Sequence, residues 1–470
     1  MVFTIKNTRA IIYVDSEVHM KFKSFEELLS VNAQKRPENV ALAFAENDSI
    51  ATMTYKELFD AILARKAELE DVNANCVGIL QSPSKKWIID MFACVLARKQ
   101  TVLLDPMSEP AVIQAQVLAT DVETILTDDL TSPYADKLKT AKQVDVRLAD
   151  GEGNLLFFTS GTTNSSKAVV LTSKSLCASA WNGQEKCPCY DSDNLLCMLP
   201  LTHVFGFVCA MLWPMSQGAR ISLARGMRFI AQDCKYFKPT VVSVVPSILK
   251  FLIGFNALND ELRMILVGAG PASKQMLDAA KAKGIEVRFG YGLTETSSGV
   301  AISCGENPYA MSVCPDDEIT LGEDNEVLVK ADECMMQGYY KNPEATKEVL
   351  IDGVLHTGDL GKFDDEGNLY ITGRKKDIIV LENGNKIFLP EWEKELAEAL
   401  ETEDLALALK DESLTLFVGN KDGFLNVSTL KDKLAAFNKN KPFHLQISHI
   451  VVMPDALPRT ATGKVKRYAL

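Results

Sequence analysis

Apolar residues along this chain follow two alternating rhythms. At residues 25–31 and 55–69 they fall three and four positions apart, the spacing of a helix with one buried face, and Thr54 stands where it can cap the second. Cys76-Val77-Gly78-Ile79-Leu80 is a short unbroken apolar run and reads as a buried strand, residues 86–97 as a helix, and 101–104 as the next strand. The same order returns at 241–245, 248–255 and 264–267, which predicts mostly parallel sheets with helices on both faces. The longest apolar run, near 204–215, has the length of a buried core helix and is too short to span a membrane.

The last hundred residues differ. After a strand-like Leu369-Tyr370-Ile371 comes the charged stretch Gly373-Arg374-Lys375-Lys376-Asp377, then a strand at 378–381, an Asn383-Gly384 turn and a helix at about 391–400. A chain of 470 residues exceeds what one core supports. A boundary at Lys375 or Lys376 divides it into residues 1–374, a large N-terminal α/β domain of several layered sheets, and 375–470, a smaller C-terminal α+β domain. On composition alone, the charged stretch also reads as a solvated turn.

Charge narrows the classes of partner. The formal net charge of −12 argues against general binding to nucleic acid or to anionic membranes, but leaves room for a local basic site for phosphates. The N-terminal segment is peppered with charges and has no continuous apolar core, so neither a signal peptide nor an integral membrane segment is expected. Eleven scattered cysteines fit reduced thiols and a cytoplasmic location. The one-residue gap in Cys187-Pro188-Cys189 is wrong for zinc, and an inert thiol pair is expected there.

The richest segment for chemistry runs from Leu155 through Thr159-Ser160-Gly161-Thr162-Thr163-Asn164-Ser165-Ser166-Lys167 to Thr172. Two strand-like runs flank a loop whose backbone amides, hydroxyls and single ammonium suit a polyphosphate. A P-loop would require Gly where Ser166 stands, a magnesium-binding hydroxyl where Ala168 stands, and a helix where Val169-Val170-Leu171 reads as a strand. A plain polar hairpin loop remains the competing reading.

The loop resembles the phosphate loop of the acyl-adenylate-forming superfamily, whose pattern is roughly T-S-G-[ST]-T-G-x-P-K-G. Thr159, Ser160, Gly161, Thr162, Thr163 and Lys167 match it, whereas Asn164, Ser166 and Ala168 stand where Gly, Pro and Gly are usual. A left-handed backbone at 168 would cost Ala roughly 1 kcal/mol relative to Gly. Further similar segments follow in family order. Pro200-Leu201-Thr202-His203-Val204-Phe205-Gly206 resembles the segment lining the acyl pocket, and Gly268, Ala269 and Gly270 resemble the strand end that adenine approaches. Tyr291-Gly292-Leu293-Thr294-Glu295 is similar to the Y-G-x-T-E signature. Asp359 and Arg374 occupy the ribose-binding positions, Lys376 the hinge, Gly384 the hairpin of the thiol channel (with Pro390 one place later than usual), and Lys464 the C-terminal lysine loop.

This resemblance covers nearly the whole chain and implies an acid–thiol ligase of the acyl-CoA synthetase kind with a mobile C-terminal domain. It implies ATP, magnesium and coenzyme A, and a small-molecule carboxylic acid as substrate. Tyr291 would stack on adenine, Thr294 bond a phosphate oxygen, Glu295 hold magnesium, and Lys464 neutralise charge during adenylation. His203 would line the acyl pocket. No F-D-x-S string of amino-acid-activating members is present, which favours an acid without an α-amino group. The small residues Ser297, Ser298 and Gly299 suggest room for a medium or long chain, hence a fatty or other acyl acid. The alternatives are loading of a carrier protein's pantetheine and, from another class, a non-catalytic acyl- or nucleotide-binding relative.

Overall fold

The computed structural model describes residues 20–47, 49–128, 151–159, 167–270, 272–381, 386–410, 413–421, 423, 425–459 and 465–470. Among them, no helix is long and apolar enough to cross a membrane. The local signals act as expected at the first helices. Ser24 caps helix Phe25–Lys35, and Thr54 forms a reciprocal capping box with Glu57 at the head of helix Tyr55–Glu70.

Two sheets organise the larger part. In the six-stranded sheet, Cys76–Leu80, Gln100–Leu103, Thr124–Thr127 and Leu155–Phe158 run parallel, and Ala168–Leu171 turns back antiparallel on Leu155–Phe158. The short strand Gly338–Tyr339 closes its edge against Val169 and Val170. Phe157 of this sheet meets Phe207 edge-on, ring centroids 5.3 Å apart, in a cluster that also buries Phe25, Trp87 and Phe92. Each such ring removed from water contributes roughly 1.5–3 kcal/mol.

The larger sheet changes character part-way across. The first half of strand Glu286–Leu293 pairs parallel with Met264–Val267, and its second half pairs antiparallel with Ser298–Ser303. Parallel strands lie on one side of this switch, ending in the antiparallel edge strand Ser49–Thr54, and an antiparallel series lies on the other. The register slips between Tyr291 and Gly292, and a β-carbon on Gly292 would lie 1.7 Å from the Ser298 carbonyl oxygen, so only glycine fits there.

The expected single helix at 204–215 is broken into three: helix Val204–Phe207, a π-helical turn Val208–Leu212, and helix Trp213–Ser216. Pro214 has no N–H to donate to the preceding turn, and the Cys209 carbonyl instead accepts from Ser243 Oγ at 2.7 Å. Ala168 corrects a second expectation. It pairs with Phe158 inside strand Ala168–Leu171 and is not among the residues with positive φ. Alanine is unstrained there.

The chain crosses from strand Leu369–Arg374 through one 3-10 turn, Lys375–Asp377, into hairpin Ile378–Val380/Lys386–Phe388. Beyond it, helices Leu389–Leu400 and Val427–Lys439 pack with strands Leu405–Lys410, Ser413–Gly419 and His449–Met453 around Leu396, Leu407, Leu416, Val418 and Leu430.

Candidate functional site

Chemistry-bearing side chains collect where the large sheet switches from parallel to antiparallel, the place where such sheets form crevices. Tyr291 lies on the switching strand. Its hydroxyl donates to Asp359 Oδ2 over 2.9 Å, although three strands separate the two in the sheet order, so this half must curl to bring them together. Arg374, paired with Asp359 across neighbouring strands, puts its Nε 2.7 Å from the other carboxylate oxygen. Asp359 is buried while Arg374 is half exposed. Burial, and then the charge of Asp359, push the Tyr291 phenol well above its ordinary range, so it stays a donor at any physiological pH.

Four residues further, a second cluster forms. Thr294, Glu295 and Thr296 make a 3-10 turn, followed by Ser297 and Ser298 with φ of 54° and 117°. Two successive left-handed serines mark stored backbone strain beside the expected metal carboxylate. Ser297 Oγ is buried with no hydrogen-bond partner among the described residues. Glu295 Oε1 accepts from the Tyr339 hydroxyl at 2.7 Å, and its backbone oxygen accepts from Met336 N–H at 2.8 Å. Its other carboxylate oxygen has no partner among the described residues. Lys167 places its ammonium over the Tyr339 ring, 4.5 Å from the centroid. The loop carrying Lys167 is clasped at its base, with Thr159 N–H donating to the Lys167 carbonyl at 3.0 Å.

His203 stands just before the short helix Val204–Phe207 and makes no side-chain hydrogen bond to its first turn. Burial lowers its pKa, with Asp105 opposing, so the imidazole is neutral at pH 7. The Phe205 ring lies so close to Gly268 that a β-carbon there would be 2.8 Å from it. Ala269 carries a left-handed φ of 61°, and Gly270 follows it after the end of strand Met264–Val267. Lys376 is exposed in the 3-10 turn, while its neighbour Lys375 pairs with Glu326 at 2.8 Å. Ser160, Gly161, Thr162, Thr163, Gly384 and Lys464 lie outside the described residues.

Sequence reasoning missed two members. Tyr339 joins the Lys167 and Glu295 positions, and Glu326 ties Lys375 to the backbone N–H of Gly358, which it accepts at 2.9 Å. Burial alone would raise the Glu326 pKa, but Lys375 and the amide outweigh it and hold the carboxylate ionised. Both act through contacts with residues distant in sequence, so no local spacing announced them.

A family model described as AMP-binding enzyme matches residues 154–340. The 2-succinylbenzoate–CoA ligase of Bacillus cytotoxicus is 27% identical to this chain, covering 92% of it and 95% of that protein. The 4-coumarate–CoA ligase 1 of Arabidopsis thaliana is 26% identical over 84% of this chain and 83% of its own length. In structure, O-succinylbenzoate coenzyme A synthetase (MenE) of Bacillus subtilis in complex with AMP matches with a TM-score of 0.78 at 24% identity, over 94% of this chain and 97% of that one. The fold is therefore the expected one, a large layered α/β part followed by a smaller α+β part.

Proposed function

We infer that this chain, which belongs to the acyl-adenylate-forming superfamily, activates a carboxylic acid with ATP and passes the acyl group to the thiol of coenzyme A. The observation that carries this reading is the pairing of two preorganised carboxylates at the sheet switch: Asp359 between Tyr291 and Arg374, and Glu295 beside Tyr339 and Lys167.

The two carboxylates suit different tasks. Asp359 is buried against Arg374, and its two carboxylate oxygens, which already take Tyr291 and Arg374, are acceptors of the kind a vicinal diol such as a ribose bonds. Glu295 keeps one oxygen without a partner among the described residues, a hard donor of the kind magnesium takes beside phosphates. There the ion would neutralise phosphate charge during displacement. Adenylation needs little covalent work from the protein. The substrate carboxylate attacks the α-phosphorus of ATP, pyrophosphate leaves, and the chain supplies position and charge neutralisation. Thr294, Lys167, the loop at 159–167 and Lys464 are assigned that role. Rotation about Lys376 would then replace Lys464 by the hairpin at Gly384, opening the site to the thiol.

For the acid, the reading favours an aromatic carboxylate over a fatty acid. The relatives above are named for 2-succinylbenzoate and 4-coumarate. Moreover, the small size of Ser297 and Ser298 has a packing reason as well. Both are buried, and Ser298 Oγ contacts Cys209 Sγ at 3.5 Å, so their small size lets the strand pack on the π-helical turn. ATP–pyrophosphate exchange with a panel of aromatic and aliphatic acids tests the first half-reaction, and thioester formation with coenzyme A or a pantetheinyl carrier protein tests the second. Aromatic acids should support exchange, and Glu295→Ala should abolish it in a folded protein. Absence of exchange with every acid would favour the non-catalytic reading.

A further inference from the structure

We propose that Tyr339 is a positioning residue that sets both the metal-binding carboxylate and the phosphate-loop lysine, one through its hydroxyl and the other through its ring. The proposal rests on the adenylate-forming reading above and deepens it. Tyr339 sits on the two-residue edge strand Gly338–Tyr339, pinned to Val169 and Val170 of the strand that leaves the phosphate loop. Its backbone N–H is held at 2.9 Å by Thr346 Oγ1 of the following helix, Pro343–Val349. The side chain is buried, so both functional ends of the ring are fixed by packing.

The hydroxyl, donating to Glu295 Oε1 at 2.7 Å, leaves the second carboxylate oxygen to take a cation. A carboxylate tied by one oxygen binds a cation with less loss of rotamer freedom than a loose one. The ring face, 4.5 Å below the Lys167 ammonium, holds that cation without taking a charge away from it. An acidic partner in the same place would neutralise Lys167 and compete with phosphate. A phenol can donate to the carboxylate and also present a π-face to the ammonium. Thus Tyr339 spaces two opposite charges that would otherwise collapse into an ion pair.

The two ends can be separated experimentally. Mn2+ binding is measured by electron paramagnetic resonance in the presence of ATP, and ATP binding by calorimetry in excess chelator. Tyr339→Phe keeps the ring and removes only the hydroxyl. It should weaken Mn2+ binding by about ten- to a hundredfold, the usual effect of losing a group that orients a metal ligand, and leave metal-free ATP affinity unchanged. Tyr339→Leu should weaken metal-free ATP binding as well, by roughly threefold or more as the cation–π contact is lost. Unchanged Mn2+ affinity in Tyr339→Phe overturns the proposal. So does an equal loss of metal-free ATP affinity in that variant, which would mark a packing role. Tyr339→Phe is nearly isosteric and remains decisive even if Tyr339→Leu does not fold. If the unaltered protein binds no Mn2+ with ATP, the adenylate-forming reading falls together with this one.

Discussion

Tyr291 and Asp359 are hydrogen-bonded at 2.9 Å across a curl in the sheet, and Arg374 occupies the other oxygen of the same carboxylate. The carboxylate proposed here for the ribose is therefore aimed by the fold itself. Asp359→Asn replaces one acceptor oxygen by an amide nitrogen and removes the charge that pairs with Arg374. The expected outcome is a fall of about a hundredfold in kcat/KM for ATP, the loss of one or two charge-assisted bonds. Tyr291→Phe should be milder, roughly tenfold. Steady-state kinetics with ATP varied, on variants whose circular dichroism matches the parent, checks both. Equal and small effects would remove Asp359 from the nucleotide site.

Most of this arrangement was legible because it is local. Thr159, Tyr291, Glu295 and Asp359 each sit in a short string whose order along the chain carries the resemblance. What stayed hidden was long-range. Tyr339 is 44 residues from Glu295, and an aromatic after a glycine has many reasons to exist. The broken helix at 204–216 was hidden for a related reason. An apolar run tells of burial, but the register change at Cys209 depends on a hydroxyl from Ser243, 34 positions away.

Ala168 gives a prediction opposite to the one the family pattern invites. A glycine stands there in most members, yet here residue 168 is a paired strand position without left-handed φ. Ala168→Gly should gain nothing in adenylation and should destabilise the protein by about 0.5–1 kcal/mol, the entropic cost of glycine in a strand. Urea unfolding and pyrophosphate exchange measure the two effects. A stabilised variant would mean that the loop strains residue 168.

Asp317 links stability to pH. Burial raises its pKa to about 7, Asp316 adds to the rise, and the Asn182 amide and Lys21 oppose it. Asn182 Nδ2 donates to its Oδ2 at 2.7 Å, while Oδ1 of Asp317 and Oδ1 of Asn182 are both buried without hydrogen-bond partners among the described residues. The folded pKa lies above the unfolded one, so the folded state keeps a proton that the unfolded state has released. Stability from this group is full below about pH 4 and is lost as pH rises through about 7. Asp317→Asn supplies an N–H for Asn182 Oδ1 and removes the titration. Its stability should lose this slope and exceed the parent's at pH 8 by on the order of 3 kcal/mol. Urea midpoints at pH 5, 6, 7 and 8 decide it, and parallel pH profiles for the two proteins would refute the assignment.

The two half-reactions can be separated through the C-terminal part. The segment leading to Lys464 is anchored there: Leu457 N–H donates to Asp404 Oδ2 at 2.9 Å, Arg459 pairs with Asp404 at 2.7 Å, and Lys466 N–H donates to the Pro458 carbonyl at 2.8 Å. The described residues on either side of Lys464 are thus tied to the part that holds the three-stranded sheet, and the proposed rotation at Lys376 would carry them with it. On the proposed function, the Lys464 ammonium is needed where charge accumulates as pyrophosphate departs, and it has no task when a thiol attacks the finished adenylate. Lys464→Ala should lose adenylation by roughly a hundred- to a thousandfold, the size expected for one preorganised stabilising group. Given preformed acyl-adenylate and coenzyme A, the same variant should form thioester at nearly the parent rate. Lys376→Pro should do the reverse, because proline fixes φ at 376 and disfavours the helical backbone of Lys375 in the 3-10 turn. Adenylate should then accumulate while thioester formation stalls. Single-turnover measurement of each half-reaction on both variants is decisive. Equal slowing of both halves by Lys464→Ala would make the C-terminal segment structural and end the case for rotation between two states.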